Sequence, residues 1–269
     1  MSFLNGLKEL SCQSTPIIDE IIKCKCETHG EYEARKVQYE SGLKYTAACP
    51  ACLEEWKVEE ERKEAIEREA HKIASARKRR REMGIEQMYD DATFATFNAD
   101  TPILEKAVKV VRDLVDGNVK KIVMIGANGT GKTHLACAAL QEIGGKIMTM
   151  FEISATLRAT YSGDGNELAA LDEMANYPLF VIDEIGRTKG SDADANWLSY
   201  IIDKRHVRGL PTILISNKHT RKTCAKEGCA DCLENYIAED VMSRLCENGV
   251  LLRFSGDDYR RKEGRHVGG

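Results

Sequence analysis

The stretch KKIVMIGANGTGKTHLACAAL, Lys120 to Leu140, decides how the rest of the chain is read. Its middle has the form G-x-x-x-x-G-K-T, with Gly126, Gly131, Lys132 and Thr133 at the fixed positions. A loop of this kind turns backbone N–H groups towards one point, and side chains at its glycines would obstruct an anion bound there. A lysine adds a point charge for β- and γ-phosphates, and the threonine hydroxyl can ligate Mg²⁺. Before the loop, KIVMIG reads as a short buried strand; after it, THLACAALQEI carries apolar residues at helical spacing. A helix starting at the lysine also points its positive dipole end at the phosphates. The candidate nucleotide-binding residues are thus Gly126, Asn128, Gly129, Thr130, Gly131, Lys132, Thr133 and His134.

Two later segments fit the same site. About fifty residues on, YPLFVIDEIG holds an apolar strand, Leu179 to Ile182, with Asp183 and Glu184 at its carboxyl end. Ligands of open α/β sheets bind beyond the carboxyl ends of the strands, which brings this pair to the phosphate loop. Asp183 can hold the Mg²⁺ shell with Thr133, and Glu184 can take a proton from the attacking water. Next, LPTILISN reads as a third strand ending in Asn217, whose amide can hydrogen-bond that water or the γ-phosphate. Cys137 falls inside the helix after the loop and reads as a core residue.

Length and composition set the frame. With 269 residues the chain can form one large domain or two modest ones. A net charge of −4 gives no global basic field, so any nucleic-acid contact has to come from a local patch. The opening MSFLNGLKEL lacks a signal-peptide pattern, and no run approaches the roughly 18 apolar residues of a membrane span. A soluble, cytoplasmic protein is expected, with reduced cysteines serving as metal ligands or packed thiols.

Three compositional zones follow. Residues 1–52 hold five of the ten cysteines and read as short elements around turns. Residues 53–85 form a charged connector: Leu53 to Met83 lacks Pro and Gly and is rich in Glu, Lys, Arg and Ala, as in a solvated helix. Its basic run, Arg77 to Arg81, suits either DNA phosphates or a helix C-terminus, and Trp56 is its one large aromatic. Residues 86–269 alternate strand and helix patterns, the signature of a mainly parallel α/β sheet.

Loop, Asp-Glu strand and Asn-terminated strand together resemble the AAA+ ATPases. More narrowly, Phe94 to Arg260 is similar to the DnaC-type helicase loaders and their IstB-type relatives. ATFATFNA (Ala92 to Ala99), LSYIIDKRHVRGLPTILISN, EDVMSRL (Glu239 to Leu245) and FSGDDYR (Phe254 to Arg260) carry that likeness. It implies a P-loop NTPase sheet flanked by helices, and ATP with Mg²⁺. It also implies catalytic roles for Lys132, Glu184 and Asn217. Arg244, in MSRL, matches the arginine that such proteins project into a neighbouring subunit's nucleotide, with Arg205 and Arg208 as alternatives for a nucleotide or DNA contact.

The cysteines add a metal module. Cys26 and His29, followed by Cys49 and Cys52, have knuckle-like spacing for tetrahedral Zn²⁺, with Cys24 as a spare ligand. A segment this small needs such a metal to fold. Small metal modules precede the ATPase domain in some phage-borne DnaC-like proteins. The second group, Cys224, Cys229 and Cys232 with His219 and Cys246 nearby, lies where the family has a helix. Cysteines packed on that helix are favoured there over a second metal.

The expected function is an ATP-dependent loader of a DnaB-type replicative hexameric helicase onto single-stranded DNA, of phage or prophage type. Self-association would run through the ATPase domain and the helicase grip through the N-terminal module. The alternative is an IstB-like ATPase that binds duplex DNA and recruits a transposase.

Overall fold

Charged and apolar residues are interspersed where the described structure begins, and they form a ribbon. In the computed structural model, β1 (Pro16–Cys26) and β2 (Gly30–Tyr39) pair antiparallel, and β3 (Lys44–Thr46) joins the other edge of β2. The strands are longer than the short elements expected from the sequence. Cross-strand ion pairs, Arg35 with Asp19 at 2.6 Å and Lys36 with Glu20 at 2.9 Å, accommodate the charges on these strands. The structure describes residues 16–161, 165–187, 190–256 and 258–259. The opening Met1 to Leu10, Cys12, and Asp257 and Arg260 of the closing motif lie outside them.

A single helix, α1 (Pro50–Glu82), follows with no buried residue, as its composition predicts. The chain forms two compact units, Met1–Ala74 and Ser75–Gly269, and the boundary falls inside this helix. The second unit uses the helix end as structure: Arg80 Nε donates to Gln141 Oε1 at 2.9 Å, and Met83 and Ile85 are buried in its core.

That unit runs α2 (Pro102–Val115), β4 (Lys121–Gly126), α3 (Lys132–Ile143), β5 (Gly145–Thr149), α4 (Met150–Ala159) and α5 (Glu167–Asn176). It continues through β6 (Leu179–Ile185), α6 (Asp192–Arg208), β7 (Thr212–Ser216), α7 (Glu239–Cys246) and β8 (Gly249–Phe254). The parallel sheet has the order β5-β6-β7-β4-β8. Apolar residues of β4, β6 and β7 face both ways, into two helix-covered cores, which is why these strands read as near-continuous apolar runs. The chain leaves β4 for the far edge and ends on its other side, so a ligand crevice opens beyond its carboxyl end.

One expectation fails. The connection from Ser216 to Glu239 holds no α-helix, only turns and two short 3₁₀ segments, Arg221–Thr223 and Leu233–Asn235. Gly228 there takes a left-handed φ of 68°, which breaks helical continuation between Cys224 and Cys229. Among the described residues, no helix is long and apolar enough to cross a membrane.

Candidate nucleotide site and metal clusters

The phosphate loop lies between the carboxyl end of β4 and the amino end of α3, as the apolar runs on either side predict. Gly129 and Gly131 take left-handed φ of 71° and 90°, and Gly126 takes 144°. A Cβ would not fit at any of the three. At Gly126 it would meet the Phe254 carbonyl, at Gly129 the Asp258 carboxylate, and at Gly131 it would lie 2.7 Å from Phe97 Cε2. Lys132 is buried, and its Nζ donates to the carbonyls of Gly126 at 2.8 Å and Ala127 at 2.6 Å. His134 is tied to the preceding segment, 3.2 Å from the Thr93 carbonyl and edge-on to Phe97.

Opposite the loop, Thr133 Oγ1 donates to Asp183 Oδ2 at 2.8 Å, and the Glu184 N–H donates to Asp183 Oδ1 at 2.6 Å. Burial holds the Asp183 carboxyl above its ordinary value, with these two donors and Lys132 pulling the other way. The register of β6 against β7 shifts between Ile182 and Ile185, and Glu184 adopts φ 58°. Its carboxylate pairs with Arg187. A hydroxyl and a buried carboxylate in contact suit a hard divalent cation, and the glycine cradle suits a polyphosphate.

Asn217, Asp183, Glu184, Thr133 and the loop from Asn128 to His134 line one cleft of about 410 Å³. Its other wall, Ile85, Glu86, Met88, Tyr89 and Tyr259, was not foreseen from the sequence. Phe97 was within reach of such a reading, because it lies in the ATFATFNA stretch. A larger cleft of about 900 Å³ also touches Glu184, but its lining lacks the phosphate loop and Lys132. The nucleotide therefore belongs in the smaller one.

The pattern over residues 50–267 matches the family described as IstB-like ATP binding protein. The chain belongs to that family. The replicative helicase loader DnaC of Escherichia coli K12 is 28% identical over 211 residues, 75% of this chain and 82% of the loader. The Insertion sequence IS21 putative ATP-binding protein of Pseudomonas aeruginosa is 27% identical over 173 residues, 60% of this chain and 61% of that protein. Among solved structures, the crystal structure of the DnaC helicase loader aligns with TM-score 0.54 at 26% identity, covering 63% of this chain and 100% of that one. AMPPCP-bound DnaA from Aquifex aeolicus shares the fold, with TM-score 0.51 at 20% identity over 61% of this chain and 50% of DnaA. The fold is that of an AAA+ P-loop ATPase.

Within this IstB-like domain the three candidate arginines part company. Arg205 is 1% exposed. Its guanidinium donates to Thr212 Oγ1 at 2.9 Å, to the carbonyls of Ala175 at 3.3 Å, Tyr177 at 2.7 Å and Pro178 at 3.4 Å, and to that of Pro211. It is a structural tie, which corrects its reading as a nucleotide or DNA contact. Arg208 is exposed and donates to Asn176 Oδ1 at 2.6 Å. Arg244 forms ion pairs with Asp203 at 2.9 Å and Asp240 at 2.8 Å, and its carbonyl accepts from Lys121 Nζ at 2.6 Å. Lys121 opens β4 and the phosphate loop leaves its far end, so five strand steps put about 17 Å between them.

Two Cys/His clusters are present among the described residues. In the first, Cys26, His29, Cys49 and Cys52 bring their ligand atoms within 4.8 Å of one another. Cys26 Sγ is 3.4 Å from Cys52 Sγ and 3.7 Å from His29 Nδ1, and His29 Nδ1 is 3.2 Å from Cys52 Sγ. Zn–S bonds near 2.3 Å at tetrahedral angles place ligand atoms about 3.8 Å apart. His29 Nε2 lies 3.1 Å from Glu55 Oε1, a carboxylate that fixes the ring with Nδ1 towards the thiolates. The backbone N–H groups of His29 and Thr28 bring the Cys26 thiol down to about 6. Cys52, hydrogen-bonded to that thiolate, is pushed up to about 12. Cys24 stands outside the set. Cys137 is buried, and burial pushes its thiol up to about 12.

The second cluster holds His219, Cys224, Cys229 and Cys232, again with ligand atoms within 4.8 Å. The packed helix expected over these cysteines is replaced by a turn-rich knuckle, and Cys246 is exposed on α7 outside the set.

Proposed function

We propose that this ATPase loads a replicative hexameric DNA helicase onto single-stranded DNA, with ATP binding and hydrolysis as the assembly and release switch. The observation that carries the proposal is the extent of the likeness to DnaC. It spans 82% of that loader, against 61% of the IS21 protein.

In this reading, Lys132 and the loop N–H groups of residues 128–134 bind the phosphates. Thr133 and Asp183 would hold Mg²⁺, which would supply charge neutralisation to the phosphates when bound. Glu184 takes a proton from the attacking water, and Asn217 orients that water against the γ-phosphate. Arg244 serves the neighbouring subunit, a reading supported by its tie to Lys121, which stands at the end of β4 away from its own loop. Hydrolysis therefore depends on assembly.

Zn²⁺ at Cys26, His29, Cys49 and Cys52 folds the first unit, which grips the helicase in a cytoplasmic assembly. The test is co-purification of the full chain with its host's hexameric replicative helicase, in ATP and in ADP. Binding that Cys49→Ser weakens is expected. Absence of binding in both nucleotides refutes the loader and favours the duplex-DNA, transposase-recruiting alternative.

A further inference from the structure

The connection from Ser216 to Glu239 joins the strand that carries Asn217 to the helix that carries Arg244. Connections of this length without secondary structure of their own are uncommon in compact domains and need something to hold them. This one is ordered in detail. The Leu233 N–H donates to the His219 carbonyl at 2.7 Å, and Asn235 Nδ2 donates to the Cys229 carbonyl at 2.8 Å. The Arg221 N–H donates to the Glu234 carboxylate at 2.9 Å, and Lys218 pairs with Asp231 at 2.7 Å. Only Leu233 and Ile237, with Cys232 and Thr220, are buried under it. That is a small apolar store against the ordering of some twenty backbone residues, at about 1–2 kcal/mol each.

At the centre of the knuckle stand the four residues of the second cluster. The spacing is H-x₄-C-x₄-C-x₂-C, and His219 Nε2 lies 3.4 Å from Cys229 Sγ. His219 and Cys232 are bridged strand-to-strand, so the backbone itself presses the first and last members together. Three thiols and one imidazole, within 4.8 Å of one another and with one thiol buried, form the ligand set of a closed structural site. A packed-thiol core would bury all three cysteines, yet Cys224 and Cys229 are only half-buried. The side chains turn towards one another, not into the apolar core.

We propose that His219, Cys224, Cys229 and Cys232 bind a second structural Zn²⁺ inside the ATPase unit, which staples the Asn217 strand to the Arg244 helix. This site stands whether or not the chain loads a helicase.

Zinc content per full-length chain tests it, after purification and dialysis against metal-free buffer. Two equivalents are expected for the wild type and one for Cys49→Ser. Cys229→Ser should also hold one, and the combined variant none. Should Cys229→Ser fail to fold, Cys224→His keeps a donor in place. It should retain two equivalents while the thiolate-to-metal bands of the cobalt-substituted protein weaken by about a sixth, one of six thiolates. One equivalent in the wild type, abolished by Cys49→Ser, overturns the proposal. So does a wild-type mass lowered by a disulfide among Cys224, Cys229 and Cys232.

Discussion

Replacing Arg244 by alanine should leave the lone subunit's slow hydrolysis intact and remove most of the assembled protein's. Within its own subunit Arg244 is tied to Lys121 at the end of β4 away from the phosphate loop. A unit charge separated by that strand length, about 17 Å, is worth under about 0.3 kcal/mol in water, less still when screened. That is less than a twofold change in rate. Placed about 4 Å from a neighbour's γ-phosphate at an effective dielectric of 20, the same charge is worth about 4 kcal/mol, about a thousandfold. The fold should survive: the pair with Asp240 is half-exposed and worth at most about 1 kcal/mol, and leaving the buried Asp203 Oδ1 without its guanidinium costs about 1–3 kcal/mol. The assay is phosphate release against protein concentration, followed by mixing Arg244→Ala with Glu184→Gln chains. Some mixed interfaces then join an intact Arg244 to an intact Glu184, so activity should exceed the sum of the two variants. A more than tenfold loss in the dilute variant, or mixtures that stay dead, would refute the argument from distance.

Three further outcomes are expected. Arg205→Ala strips donors from four backbone carbonyls and Thr212 and should cost about 3–5 kcal/mol, lowering Tm by roughly 6–20 °C. Unchanged melting with weakened DNA binding would restore it as a contact residue. Asp183→Asn should raise Tm by a few degrees without Mg²⁺ or nucleotide while abolishing Mg²⁺-dependent hydrolysis, as burial disfavours the carboxylate. The folded pKa lies above the unfolded one, so that advantage is full above the folded pKa. It should fade as pH falls towards 4; a gain that persists in acid would contradict the burial account. Glu184→Gln should keep nucleotide affinity within about threefold and lose at least a hundredfold in turnover; equal losses in affinity and turnover, measured by titration and by single-turnover kinetics, would make Glu184 a binding group.

How much of this was legible in the sequence depends on the reach of the constraint. That the phosphate loop, Asp183-Glu184 and Asn217 meet in one cleft, and that Cys26, His29, Cys49 and Cys52 cluster, was readable because each pattern has particular residues at short, fixed spacing. The sheet was readable because β4, β6 and β7 are buried on both faces. The ribbon of β1 and β2 was obscured, since its charges pair across strands and leave no clean alternation. Arg205 looked like a contact residue because sequence shows a charge and not the carbonyls that surround it. The knuckle at 219–232 was hidden by analogy with a helix, although Gly228 and H-x₄-C-x₄-C-x₂-C were there to be weighed. The second cleft wall, from Ile85 to Tyr89 and Tyr259, depends on contacts far apart in the chain.

The bulge at the end of β6 explains how two adjacent acids serve one site. In a regular strand, successive side chains leave opposite faces, so Asp183 and Glu184 could not both line one cleft. The register shift before Ile185 and the positive φ of Glu184 break that alternation. Asp183 then meets Thr133 while Glu184 remains in the lining of the same cleft. A glutamate in that conformation costs about 1–3 kcal/mol, which glycine would avoid. The strain persists because Asp183 Oδ1 accepts the Glu184 N–H at 2.6 Å and the apolar run from Leu179 to Ile182 locks the strand behind it. Asp183 thus holds Glu184 in place, and the two acids reach one cleft through a single local distortion.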